Sequence, residues 1–416
     1  MTGKEEKLTI TERLNTAKVT VSNAISKFGD VLFDYVNSVF LSATPNGGLW
    51  LSLYQSSEIL VSVFFNFWGG ALSDSGNRKQ IIFRCDLISG LICLLLTIFI
   101  PKSLFIYAVI LINIALAIIT SFRSPAYKAI FREIVATAHI NKVNSILEIA
   151  KEVVQIAGPG LALVIAHFFG NRMALILDAV SFFISGLLVR KLTILTRKAI
   201  KKSHKNTFSQ IKEGFQYLAT NQQIVIIIVF SSIVNFILAG YNLILPFSTY
   251  AFTGTTFKAY AAFLTAESIG GLLGASISTF IKKEPTTKTL LGLIILCGVA
   301  LMSVEKLFQA FHSIVLIAIP IVLFNLFLSI YNIQFMTFVQ TRTDINYIGR
   351  VFGIIFSVAI LFMPFGIFFF QSMLNLKNPA NYLILGLALI IVAVLTLILN
   401  RVTAKLDSQF LVDDPA

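Results

Sequence analysis

Apolar runs of about 20 residues recur along the whole chain, and this feature constrains the fold most strongly. A helix of that length crosses a hydrocarbon core of about 30 Å. Hydrophobic residues make up 56% of the chain and charged residues only 13%, whereas soluble domains carry roughly 25% charged residues. We therefore expect an all-α integral membrane protein. The sequence predicts twelve spans, near 21–43, 48–72, 80–100, 103–122, 144–168, 172–192, 222–247, 256–281, 287–306, 311–334, 348–373 and 379–400.

The basic residues predict the orientation of these spans. With these spans, five of the 33 Lys and Arg residues fall on one face of the membrane and the remaining 28 on the opposite face. The five are Lys102, Arg172, Lys258, Lys306 and Lys377. The positive-inside rule then places both termini in the cytoplasm. The net charge of +13 is accounted for by loops that face anionic lipid, and no nucleic-acid partner is expected. Residues 1–18 lack the apolar core of a signal peptide, so the first helix is expected to direct insertion.

The longest polar stretch falls between the sixth and seventh spans and divides the chain into two parts. We predict an amino-terminal six-helix half at 1–192, a cytoplasmic linker at 193–221 and a carboxyl-terminal half at 222–416. Within the linker, apolar residues recur at roughly helical spacing, which predicts an amphipathic helix along the inner surface. Parallel halves of this kind are expected to enclose a substrate site near mid-membrane.

A short polar turn joins the second and third spans, and it carries the most specific motif of the chain. Residues 70–79 read GALSDSGNRK. This turn is similar to the signature Gly-x-Leu-x-Asp-Arg-x-Gly-Arg-Arg/Lys, which follows the second helix in the major facilitator superfamily. Ser75 and Asn77 depart from it. Further resemblance comes from residues 28–30, residues 122–126, Asp178 and residues 347–352, and it points to the branch with bacterial macrolide-efflux and siderophore-export proteins.

The resemblance implies a conformational role for the turn. In that superfamily the loop is a latch between helices on the cytoplasmic side, so Gly70, Asp74, Arg78 and Lys79 are the expected gate residues. Asp74 is predicted to cap the following helix, because a carboxylate near a helix amino terminus complements the helix dipole. The simpler alternative is that the turn only anchors the topology.

Acidic side chains inside the predicted spans are the leading functional candidates. An ionised acid at the membrane centre costs about 3 kcal/mol or more, so such residues rarely face lipid. Asp30 and Asp34 lie four residues apart on one face of the first helix, while Glu58 and Glu267 lie halfway along the second and eighth. These four acids are the proton-coupling candidates. The alternatives are interhelical hydrogen bonds for each of them, a structural role for Asp30 beside the signature loop, and a structural pairing of Asp178 with Arg172.

The fifth helix contains the segment Gly158-Pro159-Gly160, which predicts a bend because proline removes a backbone hydrogen bond. The segment resembles part of the antiporter signature of the superfamily, without its upstream glycines. The fourth helix also lacks the arginine that drug/proton exchangers place within it, since 113–120 contains none and Arg123 comes late in the span.

Polar uncharged residues are the substrate-cavity candidates. In the superfamily pattern the first, fourth, seventh and tenth helices line the cavity. Asn and Tyr side chains there offer hydrogen bonds without fixed charge, which suits a bulky amphipathic substrate; the alternative is that they tie helices together. These candidates are Tyr35, Asn37, Asn235, Tyr241, Asn242, Asn325, Tyr331, Asn332 and Gln334.

No sequence pattern predicts an enzyme. The four histidines lack paired ligand spacing and no phosphate-binding Gly-Lys-Ser/Thr loop occurs, so we expect no metal, no cofactor and no ATP coupling. The sequence instead predicts a secondary, proton-coupled exporter of amphipathic small molecules, working as a monomer in a bacterial inner membrane. The alternatives are a lipid or lysophospholipid translocase of the same fold, and a non-transporting membrane sensor.

Overall fold

The computed structural model describes residues 8–75, 77–136, 139–195, 216, 218, 221–253, 258–281, 283–343 and 348–410. Throughout these ranges the regular structure is helical. The predicted linker 193–221 lies largely outside them, so its amphipathic helix stays a prediction. Contacts divide the chain into two compact units, residues 1–204 and residues 205–416.

Long helices joined by short connections build the amino-terminal unit. They are α1 (Ile10–Ala43), α2 (Gly47–Ser75), α3 (Arg78–Phe99), α4 (Phe105–Ile134) and α5 (Ile140–Arg190). Because the connections are short, successive helices run in opposite directions. The end of the unit that holds the start of α1 therefore also holds the α2–α3 turn and both ends of α5.

The carboxyl-terminal unit contains α6 (Gln222–Ile244), the short α7 (Ser248–Ala251), α8 (Ala259–Ser278), α9 (Thr287–Phe311), α10 (Ile314–Arg342), α11 (Ile348–Met373) and α12 (Ala380–Phe410). Its helices pack as α6 with α11 and α12, α8 with α10, and α9 with α10 and α12. In the amino-terminal unit the main packing is α1 with α5, α2 with α4, and α3 with α4 and α5. The two units thus repeat one packing order.

Helix α5 is interrupted at Gly170, which lies between the predicted spans 144–168 and 172–192. The bend predicted at residues 158–160 stays a prediction. The helix runs for 51 residues with helical backbone angles through Gly158, Pro159 and Gly160, and departs from them at Gly170, where φ is 76° and ψ is 174°. Only glycine adopts such a positive φ readily. The apolar part, Ile149–Arg190, has 42 residues, a helical length of about 63 Å, or roughly two membrane crossings.

The capping of α3 differs from the sequence-based prediction. The N-cap is Asn77, whose side-chain oxygen accepts a hydrogen bond from the Gln80 amide at 3.3 Å. Asp74 lies in the last turn of α2, three residues before the N-cap, so the prediction that it caps α3 was wrong. The side chains of Gly70 and Asp74 lie outside the described part of the chain.

The segments that can cross a membrane are spread over both units. Eight helical segments of the described residues are long and apolar enough to do so. Many large apolar side chains are exposed on these segments, such as Leu111 and Val315, and on other helices, such as Phe64 of α2 and Phe365 of α11. Lipid covers such side chains in a membrane protein, so the exposed surface is that of a multi-pass membrane protein.

Candidate functional site

A carboxylate and a tyrosine pair within the amino-terminal unit. The Tyr54 hydroxyl on α2 donates a hydrogen bond to Asp34 Oδ1 on α1 at 2.8 Å. The Asn113 amide on α4 donates to the Tyr54 carbonyl oxygen at 2.8 Å, which joins a third helix to the pair. Tyr54 is buried, whereas Asp34 is exposed. The tyrosine therefore holds a carboxylate that remains accessible within an apolar segment.

The other predicted acids of this unit lie around the same pair. Asp30 is half-buried one turn before Asp34 on α1, and Glu58 is exposed one turn after Tyr54 on α2. The charges of Asp30, Asp34 and Glu58 act on one another, and Lys27 is a nearby cation. Three acids from two helices thus lie within about one helical turn of the Tyr54–Asp34 contact.

A matching pair occurs in the carboxyl-terminal unit. The Tyr241 hydroxyl on α6 donates to Glu267 Oε1 on α8 at 2.6 Å. Asn325 on α10 packs on α8 beside Gly270, one turn after Glu267. Tyr241 also lies against the rings of Phe324 and Tyr382, with centroid separations of 4.8 and 6.2 Å.

The two pairs occupy equivalent places in their units. Each joins the first two long helices of its unit through one tyrosine hydroxyl and one carboxylate. The roles are exchanged, because the acid is on the first helix in one unit and on the second in the other. In each unit a third helix packs on the second long helix and places an asparagine beside the pair. This residue is Asn113 on α4 in one unit and Asn325 on α10 in the other.

Asp86 and Arg123 form an ion pair that the sequence reasoning missed. Arg123 Nε on α4 donates to Asp86 Oδ1 on α3 at 2.5 Å, and the Asp86 side chain is completely buried. Ser185 Oγ donates to Asp86 Oδ2 at 2.8 Å, and Arg123 Nη2 lies 3.5 Å from Ser26 Oγ on α1. The sequence could have indicated this pair, because it has one acid and one base in adjacent apolar spans.

The predicted substrate-cavity residues differ in how far their side chains are buried. Tyr35, Asn37, Tyr241 and Tyr331 are buried, and so is Gln334, whose amide lies 3.4 Å from Ser278 Oγ. Asn235 and Asn325 are half-buried and donate to backbone carbonyls one turn earlier on their own helices. Only Asn242 and Asn332 of the set are exposed. Of these candidates, Tyr241 forms the hydrogen bond with Glu267, and Asn325 lies beside that contact.

Two of the predicted gate residues, Arg78 and Lys79, hold helix ends of the amino-terminal unit together. Arg78 Nη1 contacts Glu133 Oε1 at 2.5 Å, and this joins the start of α3 to the end of α4. Lys79 Nζ donates to the Leu192 carbonyl at 2.8 Å, just beyond the carboxyl end of α5. A cation there also complements the helix dipole.

The start of α1 contributes to the same end of the unit. Glu12 Oε1 accepts hydrogen bonds from the Ala136 amide at 2.7 Å and from His139 Nδ1 at 3.0 Å. Burial raises the pKa of Glu12, but the hydrogen bonds from Ala136, His139 and Thr9 outweigh this effect and lower the pKa to about 2. Asn15 donates to the Ile134 and Thr193 carbonyls at 3.0 and 2.8 Å.

The alternative that Asp178 pairs with Arg172 is wrong. Asp178 is fully buried and contacts Cys93 Sγ at 3.8 Å, whereas Arg172 Nη2 donates to the Ile100 carbonyl at 2.7 Å. Gly158 packs closely against Val31 of α1. In the part of the chain that the structure describes, no group of three potential ligands could hold a metal ion.

Comparisons with known proteins agree with this fold. The family model of the Major Facilitator Superfamily matches residues 29–359, which is most of the chain. The chain belongs to the Major Facilitator Superfamily. The predicted family is therefore confirmed, and members of this superfamily are transporters of small molecules.

Two relatives show how far the similarity extends. Macrolide efflux protein A of Streptococcus pyogenes is 21% identical over 402 residues, which is 95% of this chain and 98% of that protein. YkuC of Bacillus subtilis (strain 168), an uncharacterized transporter of the superfamily, is 26% identical over 269 residues, 62% of this chain and 61% of its own length. The predicted resemblance to macrolide-efflux proteins is thus confirmed at low identity.

Solved transporter structures share the fold. The nucleoside transporter NupG superposes with a TM-score of 0.76 at 14% identity, covering 92% of this chain and 99% of that one. A D-xylose-proton symporter gives a TM-score of 0.69 at 14% identity, covering 93% and 97%. At such identity the likeness establishes the transporter fold and no substrate.

Proposed function

We propose that this chain is a proton-coupled exporter of amphipathic small molecules. The observation that carries the proposal is the pair of tyrosine–carboxylate contacts, Tyr54 with Asp34 and Tyr241 with Glu267. A carboxylate inside a membrane-spanning helix is a functional candidate by default. Similarity to macrolide efflux protein A over 95% of the chain supports export and an amphipathic substrate.

The mechanism uses the two protonation states of each acid. A tyrosine hydroxyl donates to an ionised carboxylate, whereas a protonated carboxyl can itself donate a hydrogen bond. Proton uptake therefore weakens the Tyr54–Asp34 or Tyr241–Glu267 hydrogen bond, because a neutral carboxyl is a weaker acceptor than a carboxylate, and lets the contact rearrange. Asp34 and Glu58 are exposed, and an exposed carboxylate needs water because lipid cannot solvate it. We therefore propose that water and protons reach these two acids during alternating access.

The proposed topology is twelve spans with both termini in the cytoplasm of a bacterial cell. Eight segments have the required length and apolarity, and one of them covers 42 residues with a break at Gly170. Helices α1, α2 and α11 add lengths of 34, 29 and 26 residues. The end of the amino-terminal unit with Arg78 and Lys79 would face the cytoplasm, where the superfamily has its gate.

The test is efflux of a labelled macrolide from proteoliposomes under an imposed pH gradient. We expect the wild type to export faster with the gradient, and Asp34→Asn, Glu58→Gln and Glu267→Gln to lose this acceleration. Glu305→Gln is the matched control, because in the described part of the chain the hydrogen-bond partner of Glu305 is its own helix neighbour Gln309, at 3.1 Å. Efflux that ignores the gradient and survives all three substitutions would show that the proton mechanism is wrong.

The same vesicles test the alternative function. A lipid or lysophospholipid translocase of this fold would move a fluorescent lipid between leaflets and leave the macrolide in place. Labelled lipid is therefore measured in parallel with the drug. Lipid movement without drug movement would replace the exporter by the translocase.

A further inference from the structure

A cavity of about 440 Å³ lies in the amino-terminal unit, at the end opposite Glu12, Arg78 and Lys79. Its lining comes from the end of α1, the start of α4 and the break in α5, and consists of Phe40, Phe105, Phe169, Gly170, Asn171 and Arg172. The volume lies within the range of small-ligand sites. None of the transport candidates belongs to this cavity.

The break at Gly170 shapes this cavity. Its positive φ of 76° turns the chain between the two parts of α5 and places Phe169 and Arg172 on either side of the turn. Phe40 and Phe105 meet edge to face, with centroids 5.2 Å apart, and form an aromatic wall. The result is one cation and one amide set among aromatic rings.

Arg172 is the charged group of this cavity. One of its nitrogens, Nη2, donates to the Ile100 carbonyl at 2.7 Å, and its guanidinium lies 5.7 Å from the Phe105 ring centroid. No carboxylate in the described ranges forms an ion pair with it, and the lining itself contains no acid. A guanidinium has five N–H donors, so most of them are left to a ligand.

Apolar surface continues from the cavity toward the membrane. Phe168 and Phe169 are 72% and 64% exposed, and Phe99 and Leu104 are exposed as well. The latter two adjoin in sequence the Ile100 and Phe105 that Arg172 contacts. Such a surface suits acyl chains, while the cation suits a phosphate that an arginine can hold through two parallel hydrogen bonds. A zwitterionic headgroup carries a cation of its own, and the lining contains no acid to pair with it. An anionic headgroup therefore fits this cavity better.

We propose that this cavity binds the headgroup of an anionic phospholipid such as phosphatidylglycerol. Arg172 holds the phosphate diester, Asn171 offers an amide to the glycerol, and the acyl chains lie along the exposed phenylalanines. This site is separate from the proposed transport acids. Its occupancy would stabilise the turn between the two parts of α5.

The test is thermal unfolding of the purified full chain in phosphatidylcholine nanodiscs with and without phosphatidylglycerol. For lipid at several times its dissociation constant, we expect phosphatidylglycerol to raise the melting temperature by about 3 °C. Arg172→Gln should lose this increase while keeping a donor for Ile100. Arg172→Lys should retain part of it, because the charge remains.

Two matched variants separate binding from folding. Lys377→Gln removes a cation that lies 5.1 Å from the Tyr250 ring centroid in the other unit, and it should keep the full increase. Phe169→Ala removes an exposed wall of the cavity with little effect on packing, and it should reduce the increase even if Arg172→Gln does not fold.

Several results would overturn the proposal. These are an equal increase in Arg172→Gln or in Phe169→Ala, no increase in the wild type, or an equal increase with inorganic phosphate or glycerol phosphate in place of the lipid. The last result would identify a site for soluble phosphate, because it would show that the acyl chains contribute nothing.

Discussion

Arg123 Nε lies 2.5 Å from Asp86 Oδ1 in the interior of the amino-terminal unit, and the Asp86 side chain is completely buried. Ser185 donates to the second carboxylate oxygen at 2.8 Å, so both oxygens of the acid have donors. Burying two charges is tolerated only when they are paired and hydrogen-bonded in this way. The contact fixes α3 against α4.

Breaking this ion pair should destabilise the protein strongly. We expect Arg123→Gln or Asp86→Asn to lower the free energy of unfolding by about 3–5 kcal/mol, because each leaves an unpaired buried charge. The double variant should lose less than the sum of the two. Thermal unfolding in detergent measures all three. Arg78→Gln is the comparison, since its partly exposed pair with Glu133 should contribute only about 1 kcal/mol; equal losses in both pairs would contradict this account.

Tyr54 and Tyr241 should position the proton-binding acids. Tyr54→Phe and Tyr241→Phe remove one hydroxyl each and keep the ring, so the packing of α1, α2, α6 and α8 should survive. We expect both variants to transport, with a changed pH at half-maximal rate. Tyr107→Phe is the control, because Tyr107 is exposed and belongs neither to the two pairs nor to the cavity candidates. Lower rates with an unchanged pH midpoint would indicate a purely structural role for the two hydroxyls.

Glu12 should make stability depend on pH. Its pKa is lowered to about 2 from 4.5, so its contribution is present above pH 4.5 and is lost as the pH falls toward 2. Glu12→Gln should lower the free energy of unfolding at pH 7 by about 1–3 kcal/mol. The difference between wild type and variant should shrink below pH 4.5. Melting curves at pH 7, 4.5 and 3, with His139→Gln beside them because His139 faces Glu12, would measure this; a constant difference would refute it.

Close contact between α8 and α10 should depend on one glycine. A Cβ at Gly270 would overlap the Val322 carbonyl oxygen, whereas a Cβ at Gly271 would meet nothing within 4 Å. We expect Gly270→Ala to destabilise the carboxyl-terminal unit by about 1–3 kcal/mol, as overpacking does. Gly271→Ala should be neutral or slightly stabilising, because alanine favours helix by roughly 1 kcal/mol. Equal melting temperatures for the two variants would contradict this prediction.

The turn 70–79 illustrates how far sequence reasoning reaches. Its pattern predicted the superfamily, which the family model then confirmed, because a motif depends on local order along the chain. The predicted capping residue of α3, Asp74, was wrong, because α2 continues through Asp74 and Asn77 caps α3. Cap choice depends on where a helix ends, and the neighbouring helices decide that.

The acids within the spans could be predicted from the sequence, but their hydrogen-bond partners could not. Asp34, Glu58 and Glu267 could be selected from the sequence, because a charged residue in an apolar run conflicts with the solvent that the run requires. Their tyrosine partners could not be paired with them. Tyr54 lies 20 residues from Asp34, and Tyr241 lies 26 residues from Glu267. Neither separation by itself distinguishes these tyrosines from others in the same helices.

The sequence by itself determined that this chain is a helical membrane protein of the Major Facilitator Superfamily, because apolar runs and a local motif need no tertiary information. The tertiary structure decided which charges meet. It joined Arg123 to Asp86, separated Asp178 from Arg172, and brought a tyrosine hydroxyl to a carboxylate in both units. Such contacts join different helices, and the rotation and depth of each helix are set by packing against its neighbours.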